Sequence, residues 1–322
     1  VNRGSIGIVA AAGTGLQEVS TIISNEGAGI SQAIGTGGRD VKKDVGGIMF
    51  IEGLKALATD KATSVILLVS KPPHKSILAA VAKIIKGIKK PVVAMFVGAD
   101  SKDGPATLEE AAHMAVALSK GESPAAALKR LALRDEDMAR LAKKLAARKR
   151  NKQKYVRGLF SGGTFCAEAQ IMFGSMLKNV YSNAPAGKSK QLKDSLKSLR
   201  NTVVDLGEDE FTVGRPHPMI DFSLRNKRIL AEAADPETAV VLLDVVLGYG
   251  SNMDPSAELS GVVRAAAKKV SVVCSVTGTD GDPQNRSKVE AALKKAGAIV
   301  MPSNAAACRM AGEIARARSA RK

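Results

Sequence analysis

The sequence predicts an α/β protein that consists of two tandem doubly wound units, each with a parallel sheet. Short apolar, β-favouring runs alternate with helical patterns, glycine-rich turns connect them, and one such turn occurs twice. Hydrophobic residues make up 45% of the 322 residues and aromatic residues only 3%, so Val, Ile, Leu and Ala must form the core. Such aliphatic cores suit parallel strands that are covered by helices on both faces.

The first unit, residues 1–120, alternates four predicted strands with helices. The strands are predicted at residues 5–11, 31–34, 64–69 and 91–97. Three helices are predicted to follow the turns at 13–15, 35–40 and 70–73, and a fourth lies at about 108–118. Right-handed crossovers between consecutive strands make such a sheet parallel.

A charged helical connector is predicted at residues 121–154, and a second unit at residues 155–322. In the connector, Leu131, Met138, Leu141 and Leu145 recur at helical spacing among charged residues and alanines. The strands of the second unit are predicted from Val156 onward and at 203–207, 239–246, 270–276 and 299–301, with a polar loop after the first helix. The Gly-Thr-x-x-x-Glu pattern of residues 13–18 reappears at 163–168, which indicates an internal duplication.

The net charge of +17 raises nucleic acid as a partner, but its distribution favours a solvated basic surface. Much of the excess lies in segments 143–154, 188–200 and 316–322, which lack aromatic residues that could stack on bases. No apolar run approaches the roughly 20 residues that span a bilayer. The three cysteines are widely spaced and fit neither a disulfide framework nor a metal site, so we expect a cytoplasmic protein without a metal.

Glycine-rich turns at helix starts are the candidate binding sites. In an open parallel sheet, ligands lie beyond the carboxyl ends of the strands, where helix-start amides and the helix dipole attract phosphate or carboxylate. The candidate anion- or substrate-binding residues are Gly13, Thr14, Gly15, Gly37, Gly38, Arg39, Asp40, Ser70, Lys71, Ser161, Gly162, Gly163, Thr164 and Asp221. The alternative is that these glycines serve only the geometry of tight turns.

Two candidate catalytic residues lie in the segment 213–221. Arg215 suits bidentate contact with a carboxylate or phosphate, although it could equally be a surface arginine paired with a carboxylate. His217 stands between two prolines that restrain its backbone. It could donate a hydrogen bond to a carbonyl or carry a proton near neutral pH, or it could simply satisfy loop carbonyls.

Seven strings together resemble the FdrA family, and they cover nearly the whole chain. They lie at residues 7–18, 34–40, 69–73, 161–168, 213–221, 244–250 and 276–284. The string Val-Gly-Arg-Pro-His-Pro-Met-Ile-Asp at 213–221 is highly specific, whereas the glycine turns alone are not.

The resemblance implies two tandem flavodoxin-like domains of the succinyl-CoA synthetase type, with the usual N-terminal CoA-binding domain absent. CoA would then bind through a module that this chain lacks. Some members of the family are implied to be a subunit of an oxamate carbamoyltransferase, and members are linked to purine and allantoin breakdown. The phosphorylated histidine of the ligases has no counterpart in residues 98–104, and no ATP-grasp domain is visible.

The sequence therefore favours a subunit that transfers a carbamoyl group between oxalurate and phosphate. Helix starts of both units would hold phosphate, Arg39, Lys71 and Arg215 would neutralise charge, and His217 would donate to the carbonyl oxygen. The alternatives are an acyl-CoA ligase of the nucleoside-diphosphate-forming type, with separate CoA and nucleotide modules, and a non-catalytic assembly subunit. We expect a small anionic substrate and other subunits of a homo- or hetero-oligomer as partners, but neither a membrane nor nucleic acid.

Overall fold

The chain divides into two compact units, Val1–Leu133 (unit 1) and Arg134–Lys322 (unit 2). The computed structural model describes residues 1–99 and 104–319. Most of the loop that lacks the ligase histidine, residues 100–103, therefore lies outside the described residues. The division between the units falls inside the segment 121–154 predicted as a connector, and the predicted domain limits at 120 and 155 stay a prediction.

Unit 1 contains a four-stranded sheet in the order β2-β1-β3-β4, in which every neighbouring pair is parallel. The strands are β1 (Arg3–Ala11), β2 (Ile30–Gly35), β3 (Val65–Ser70) and β4 (Val92–Phe96). The helices are α1 (Gly13–Asn25), α2 (Ile48–Thr59), α3 (Lys75–Ile85) and α4 (Leu108–Ser119). Helix α1 packs against α4, and α2 against α3. The doubly wound parallel sheet predicted for this unit is confirmed.

The core of unit 1 is aliphatic, as the composition predicts. Strand β3, Val-Ile-Leu-Leu-Val-Ser, is buried along its whole length. Phe50, Leu54 and Leu57 of α2 pack onto the face that Val9 and Ile66 present. A central strand that is covered on both faces must be apolar at every position, which is why this segment shows no alternation of polar residues.

The predicted connector forms one long helix, α5 (Pro124–Ala147). Its buried positions are Ala127, Leu131, Met138, Ala142 and Ala146, whereas Leu141 is 45% exposed. The buried positions follow the helical period, so one stripe of α5 is apolar and the remainder is charged.

Unit 2 contains a seven-stranded sheet in the order β11-β10-β9-β5-β8-β6-β7, again with parallel pairs throughout. The strands are β5 (Tyr155–Phe160), β6 (Val180–Ser182), β7 (Lys190–Gln191), β8 (Asn201–Asp205), β9 (Thr238–Val246), β10 (Ser271–Thr277) and β11 (Ile299–Met301). The helices are α6 (Gly163–Met176), α7 (Asp209–Thr212), α8 (Ser223–Ala234), α9 (Pro255–Ala267), α10 (Arg286–Lys295) and α11 (Asn304–Ser319).

The order β8-β5-β9-β10 in unit 2 repeats the order β2-β1-β3-β4 in unit 1. The two units therefore share one topology, as the repeated turn predicts. One difference is that the predicted polar loop contains the short edge strands β6 and β7. Both residues of β7 are exposed, so no apolar pattern marks that strand in the sequence.

None of the helices within the described ranges has the length and apolar character that a bilayer span requires.

Candidate functional site

Three glycine- or proline-containing turns of unit 1 lie together at one edge of its sheet. The register pairs Ala10 with Gly35 and Ala11 with Ser70, so β1, β2 and β3 end side by side. The amide of His74 donates to the carbonyl of Val41 at 3.1 Å and ties the turn after β3 to the turn after β2. The structure thus brings the candidate segments 13–15, 37–40 and 70–71 to one edge.

The start of α1 is open to a ligand. Residue Ala12 is the N-cap and provides no side-chain hydrogen bond. No heavy atom lies within 4 Å of the position that a Cβ on Gly13 would occupy. Beside it, the Thr36 hydroxyl oxygen is buried without a hydrogen-bond partner among the described residues. Free helix-start amides and a buried hydroxyl that lacks a partner fit an anionic group such as phosphate.

Asp40 has a structural contact rather than an open carboxylate. Its oxygens accept hydrogen bonds from the amides of Met49 at 3.0 Å and Phe50 at 2.8 Å. They thereby cap the start of α2. Arg39 and Lys71, by contrast, are exposed, and the Ser70 hydroxyl donates to the carbonyl of Lys71. Of these four candidates, only the two cations leave their charged groups facing solvent.

In unit 2 the corresponding turn is held by a buried carboxylate, that of Asp244 on β9. Asp244 accepts from the Ser161 amide at 2.8 Å, the Ser161 hydroxyl at 2.9 Å and the Gly162 amide at 2.8 Å. Two of the amides that the sequence offers to an anion are therefore occupied from within. The candidates Gly163 and Thr164 follow as the first residues of α6.

Arg225 on α8 completes this network. Its Nη1 lies 3.2 Å from Asp244 Oδ1 and donates to the Asp244 carbonyl at 2.7 Å. Both side chains are almost completely buried, at 1% and 0% exposure. Burial lowers the pKa of Arg225, and the Asp244 charge opposes that shift. The guanidinium also stacks on the Phe222 ring at 4.3 Å, so the turn is anchored by a buried charge pair.

His217 lies beside the same turn. Its Nδ1 accepts from the Met219 amide at 3.2 Å, and a neutral imidazole that accepts there carries its proton on Nε2. A Cβ on Gly207 would lie 3.0 Å from His217 Nε2 and 3.1 Å from both Asp205 Oδ1 and the Ser161 carbonyl oxygen. Burial lowers the pKa of His217, an effect that Asp244 partly offsets. The neutral ring therefore presents an Nε2–H donor near the ends of β5 and β8.

Arg215 and Asp221 lie in a different cavity. They line a space of about 220 Å³ together with Lys227, and His217 is not among its lining residues. Asp221 accepts from the Ser223 amide at 2.8 Å and from its hydroxyl at 3.1 Å, at the start of α8. Arg215 thus lines a cavity that Pro216 and Pro218 also line but His217 does not, and the joint catalytic role of Arg215 and His217 stays a prediction.

Sequence reasoning missed Asp244 and Arg225 as members of the site. The signal was present, because Asp244 is the only charged residue in the nine-residue apolar strand β9. A lone carboxylate within a buried strand needs a partner, and such positions often belong to functional sites.

Two family models match the chain. The model of the CoA-binding domain matches residues 1–98, and that of the CoA-ligase family matches residues 159–314. The first match corrects the expectation that the CoA-binding domain is absent from this chain. The Gly-Thr-x-x-x-Glu pattern occurs both at 13–18 and at 163–168. This short pattern therefore did not distinguish a CoA-binding domain from a CoA-ligase domain.

Two curated proteins are similar over different lengths. YahF of Escherichia coli strain K12, described as an uncharacterized protein, is 38% identical in an alignment of length 317 that covers 94% of this chain and 61% of YahF. Subunit alpha 1 of the ADP-forming succinate–CoA ligase of Archaeoglobus fulgidus is 32% identical over 143 residues, 44% of this chain and 45% of that subunit. The chain thus spans about three fifths of YahF and less than half of the ligase subunit.

Among solved structures, the dinucleotide-forming acetyl-coenzyme A synthetase 1 of Ca. Korarchaeum cryptofilum has 15% identity and a TM-score of 0.36. The match covers 99% of this chain and 66% of that protein. The family models and curated proteins, rather than this structure, confirm the predicted similarity to succinyl-CoA ligases. Residues 1–98 are thus similar to CoA-binding domains and residues 159–314 to CoA ligases, and the chain is similar to YahF and, over less than half of its length, to a succinate–CoA ligase subunit.

Proposed function

We propose that this chain takes part in acyl-CoA ligase chemistry, with CoA bound by unit 1 and the acyl group bound by unit 2. The observation that carries the proposal is the difference between the two repeated turns. Ala12, the N-cap of α1, makes no side-chain hydrogen bond, whereas in unit 2 Asp244 holds the Ser161 and Gly162 amides just before α6, and His217 lies beside that turn as a neutral donor.

The edge of unit 1 suits the phosphate groups of CoA. The start of α1 would supply amides, the partnerless hydroxyl of Thr36 would supply one further hydrogen bond, and Arg39 and Lys71 would supply positive charge. Glycine at position 13 leaves the approach to these amides clear. The match of residues 1–98 to the CoA-binding domain supports the same assignment.

The edge of unit 2 suits the acyl group. We place the acyl oxygen at His217 Nε2–H, because developing negative charge on that oxygen is stabilised by a fixed donor in a partly buried site. In the transfer, the CoA sulfur bonds to the acyl carbon, the acyl C–O bond to phosphate breaks, and phosphate leaves with the electron pair and takes up the thiol proton. His217 stays neutral and only donates, which agrees with its lowered pKa.

Carbamoyl transfer between oxalurate and phosphate, which the FdrA resemblance implies, is a finer proposal for the same site. The carbonyl oxygen of oxalurate could occupy the position of the acyl oxygen, and phosphate would be the acceptor in place of CoA. We also propose a homo- or hetero-oligomer with other subunits of a ligase or transferase complex.

The direct test supplies the full chain with a short acyl phosphate and CoA, which removes the need for a nucleotide module. We expect thioester formation, followed by its absorbance, and a calorimetric signal for CoA alone. A parallel reaction with oxalurate and phosphate, read as carbamoyl phosphate, tests the finer proposal. A chain that binds no CoA and forms no thioester would contradict the ligase proposal.

Two variants test the role of His217. His217→Ala removes the donor, and Gly207→Ala pushes a methyl group against Nε2 while retaining the imidazole. We expect each to slow transfer by about 10- to 100-fold, because small displacements of a catalytic group are costly, with CoA binding unchanged. Lys193→Ala, an exposed change elsewhere in unit 2, is the control.

A further inference from the structure

A second, larger cavity lies at the opposite edge of the sheet in unit 2. It has a volume of about 680 Å³ and is formed by residues 148–153, 233–236 and 267–269. These segments immediately precede β5, β9 and β10, so the cavity lies at the amino ends of the strands, away from His217. We propose that it binds a small ligand that carries two or more phosphoryl groups. This site goes beyond the proposed function.

The first argument is charge. Six cationic residues line the cavity: Arg148, Lys149, Arg150, Lys152, Lys268 and Lys269. The one acidic residue of the lining, Asp235, is already paired with the buried Arg157 at 2.7 Å. The cavity therefore has a large uncompensated positive charge, which attracts a compact polyanion.

The second argument is that the walls are held from within. The buried side chain of Gln153 donates to the carbonyls of Thr238 at 3.0 Å and Lys269 at 2.9 Å, and accepts from the Arg150 amide at 2.9 Å. Arg318, 4% exposed, donates to the carbonyls of Gln153 at 3.1 Å and Arg150 at 2.9 Å. Segments 148–153 and 267–269 are thus tied together, and Asp235 of the third segment is held by its ion pair with Arg157. Such a preformed site binds with little ordering cost.

Helix ends alone do not explain these cations. Helices α5, α8 and α9 all end at this cavity, and their carbonyl ends attract positive charge. That effect is limited to the last helical turn, however. Arg150 and Lys152 lie beyond the last residue of α5, Ala147, in a segment held by other contacts. The positive charge therefore exceeds what the helix ends require.

The third argument is the state of Lys149. This side chain is half-buried, and burial lowers its pKa to about 8. The other charged residues that line its cavity are cations, apart from Asp235, which is paired with Arg157. An anion would restore favourable surroundings for its ammonium group, so binding and protonation of Lys149 are linked.

The lining also indicates the class of ligand. No aromatic side chain is among the lining residues, so nothing offers a stacking surface for a nucleobase. The volume is that of a small-molecule site. Phosphoryl groups, rather than a base, are therefore what the cavity would recognise.

The experiment titrates inorganic tripolyphosphate into the full chain by calorimetry at low and at moderate salt. The test variant is Lys268→Ala/Lys269→Ala, and the matched control is Lys193→Ala/Lys295→Ala, which loses the same charge at exposed positions outside the cavity. We expect binding to weaken by about tenfold or more in the test variant and by less than about twofold in the control.

A pH series supplies the second readout. Affinity of the wild-type chain should fall between about pH 7 and about pH 9 as Lys149 loses its proton, whereas Lys149→Arg should bind with little change. Tripolyphosphate itself becomes more negative over that range, so a falling affinity must arise from the protein.

Three results would overturn the proposal: no binding by the wild-type chain, equal weakening in the test and control variants, or tighter binding of a short single-stranded DNA through Lys268 and Lys269. Thioester formation from a short acyl phosphate and CoA, measured in the same variants, separates this site from the proposed function, because the cavity variant should form the thioester as fast as the wild type does.

Discussion

The two units use the same turn in opposite ways. In unit 1, the turn at Gly13 leads into α1 without any side chain that caps the helix start. In unit 2, the turn at Ser161 donates two amides and a hydroxyl to the buried Asp244. When Gly13 is aligned with Gly163, the position of Asp244 corresponds to Val69, since Val9 pairs with Leu68 and Leu159 pairs with Leu243.

One substitution within a duplicated scaffold thus changes what the turn can do. The valine side chain at position 69 cannot accept a hydrogen bond, so unit 1 has no internal carboxylate opposite Ala11 and Ala12, the counterparts of Ser161 and Gly162. Aspartate at position 244 supplies an internal anion instead and requires the buried Arg225 as its partner. The difference teaches that a repeated glycine turn marks a shared fold, whereas the charge beneath it decides whether a ligand binds there.

Removing Asp244 should have the largest effect on stability. Asp244→Ala leaves Arg225 buried without its carboxylate partner, and we expect the free energy of unfolding to fall by about 3–5 kcal/mol. Urea denaturation followed by circular dichroism measures this change. The double variant Asp244→Leu/Arg225→Met should recover much of the loss, because it removes both charges. A single variant as stable as the wild type would contradict the buried pair.

Asp40 in unit 1 differs from Asp244, because its carboxylate caps the start of α2 and does not hold the turn that follows β1. Asp40→Ala removes the hydrogen bonds to Met49 and Phe50 and should cost about 0.5–2 kcal/mol. Asp44→Ala, an exposed change in the same loop, should be nearly neutral and is the control. If the two variants denature at the same urea concentration, the capping role of Asp40 is wrong.

The smallest effect concerns His217 and pH. Its folded pKa lies below the ordinary value of 6.5, so the unfolded chain takes up the proton first as the pH falls. The stability that the neutral ring contributes is therefore present above about pH 6.5 and lost as the pH falls through the folded pKa. Between about pH 7 and about pH 5, the wild type should lose more stability than His217→Asn, which keeps an acceptor for the Met219 amide. If the free energies of unfolding of the wild type and His217→Asn change equally with pH, the lowered pKa of His217 is wrong.

Much of the fold could be predicted because it rests on local patterns. Continuous apolar runs such as Val65–Ser70 are typical of central parallel strands, and the helices lie close to where the sequence places them. The sequence did not predict the short strands β6 and β7, because β6 is positioned by pairing with β8 and β7 by pairing with β6 at the sheet edge. Strand β6 has three residues and β7 has two, which are too few to show a period.

The site was predicted only in outline. The glycine turns lie at the edge of each sheet where the carboxyl ends of parallel strands meet, as predicted, and ligand binding at that edge stays a prediction. The assignment of donors within that edge depends on long-range contacts, such as Asp244 to Ser161, which lie 83 residues apart. Likewise, Arg215 and His217 are two residues apart in sequence but face different surroundings. The spacing of residues in the sequence does not predict such long-range contacts or which surroundings each side chain faces.

The central claim is that the helix start at Gly13 accepts an anion from outside the chain. Its most direct test is calorimetric titration of CoA into Gly13→Asp and Gly13→Asn, which have the same shape and differ in charge. The open space around position 13 accommodates either side chain, and aspartate is favourable at a helix start. We predict that the Asn variant binds CoA within about twofold of the wild type and that the Asp variant binds about tenfold or more weakly. Equal affinities for the two variants would contradict the claim.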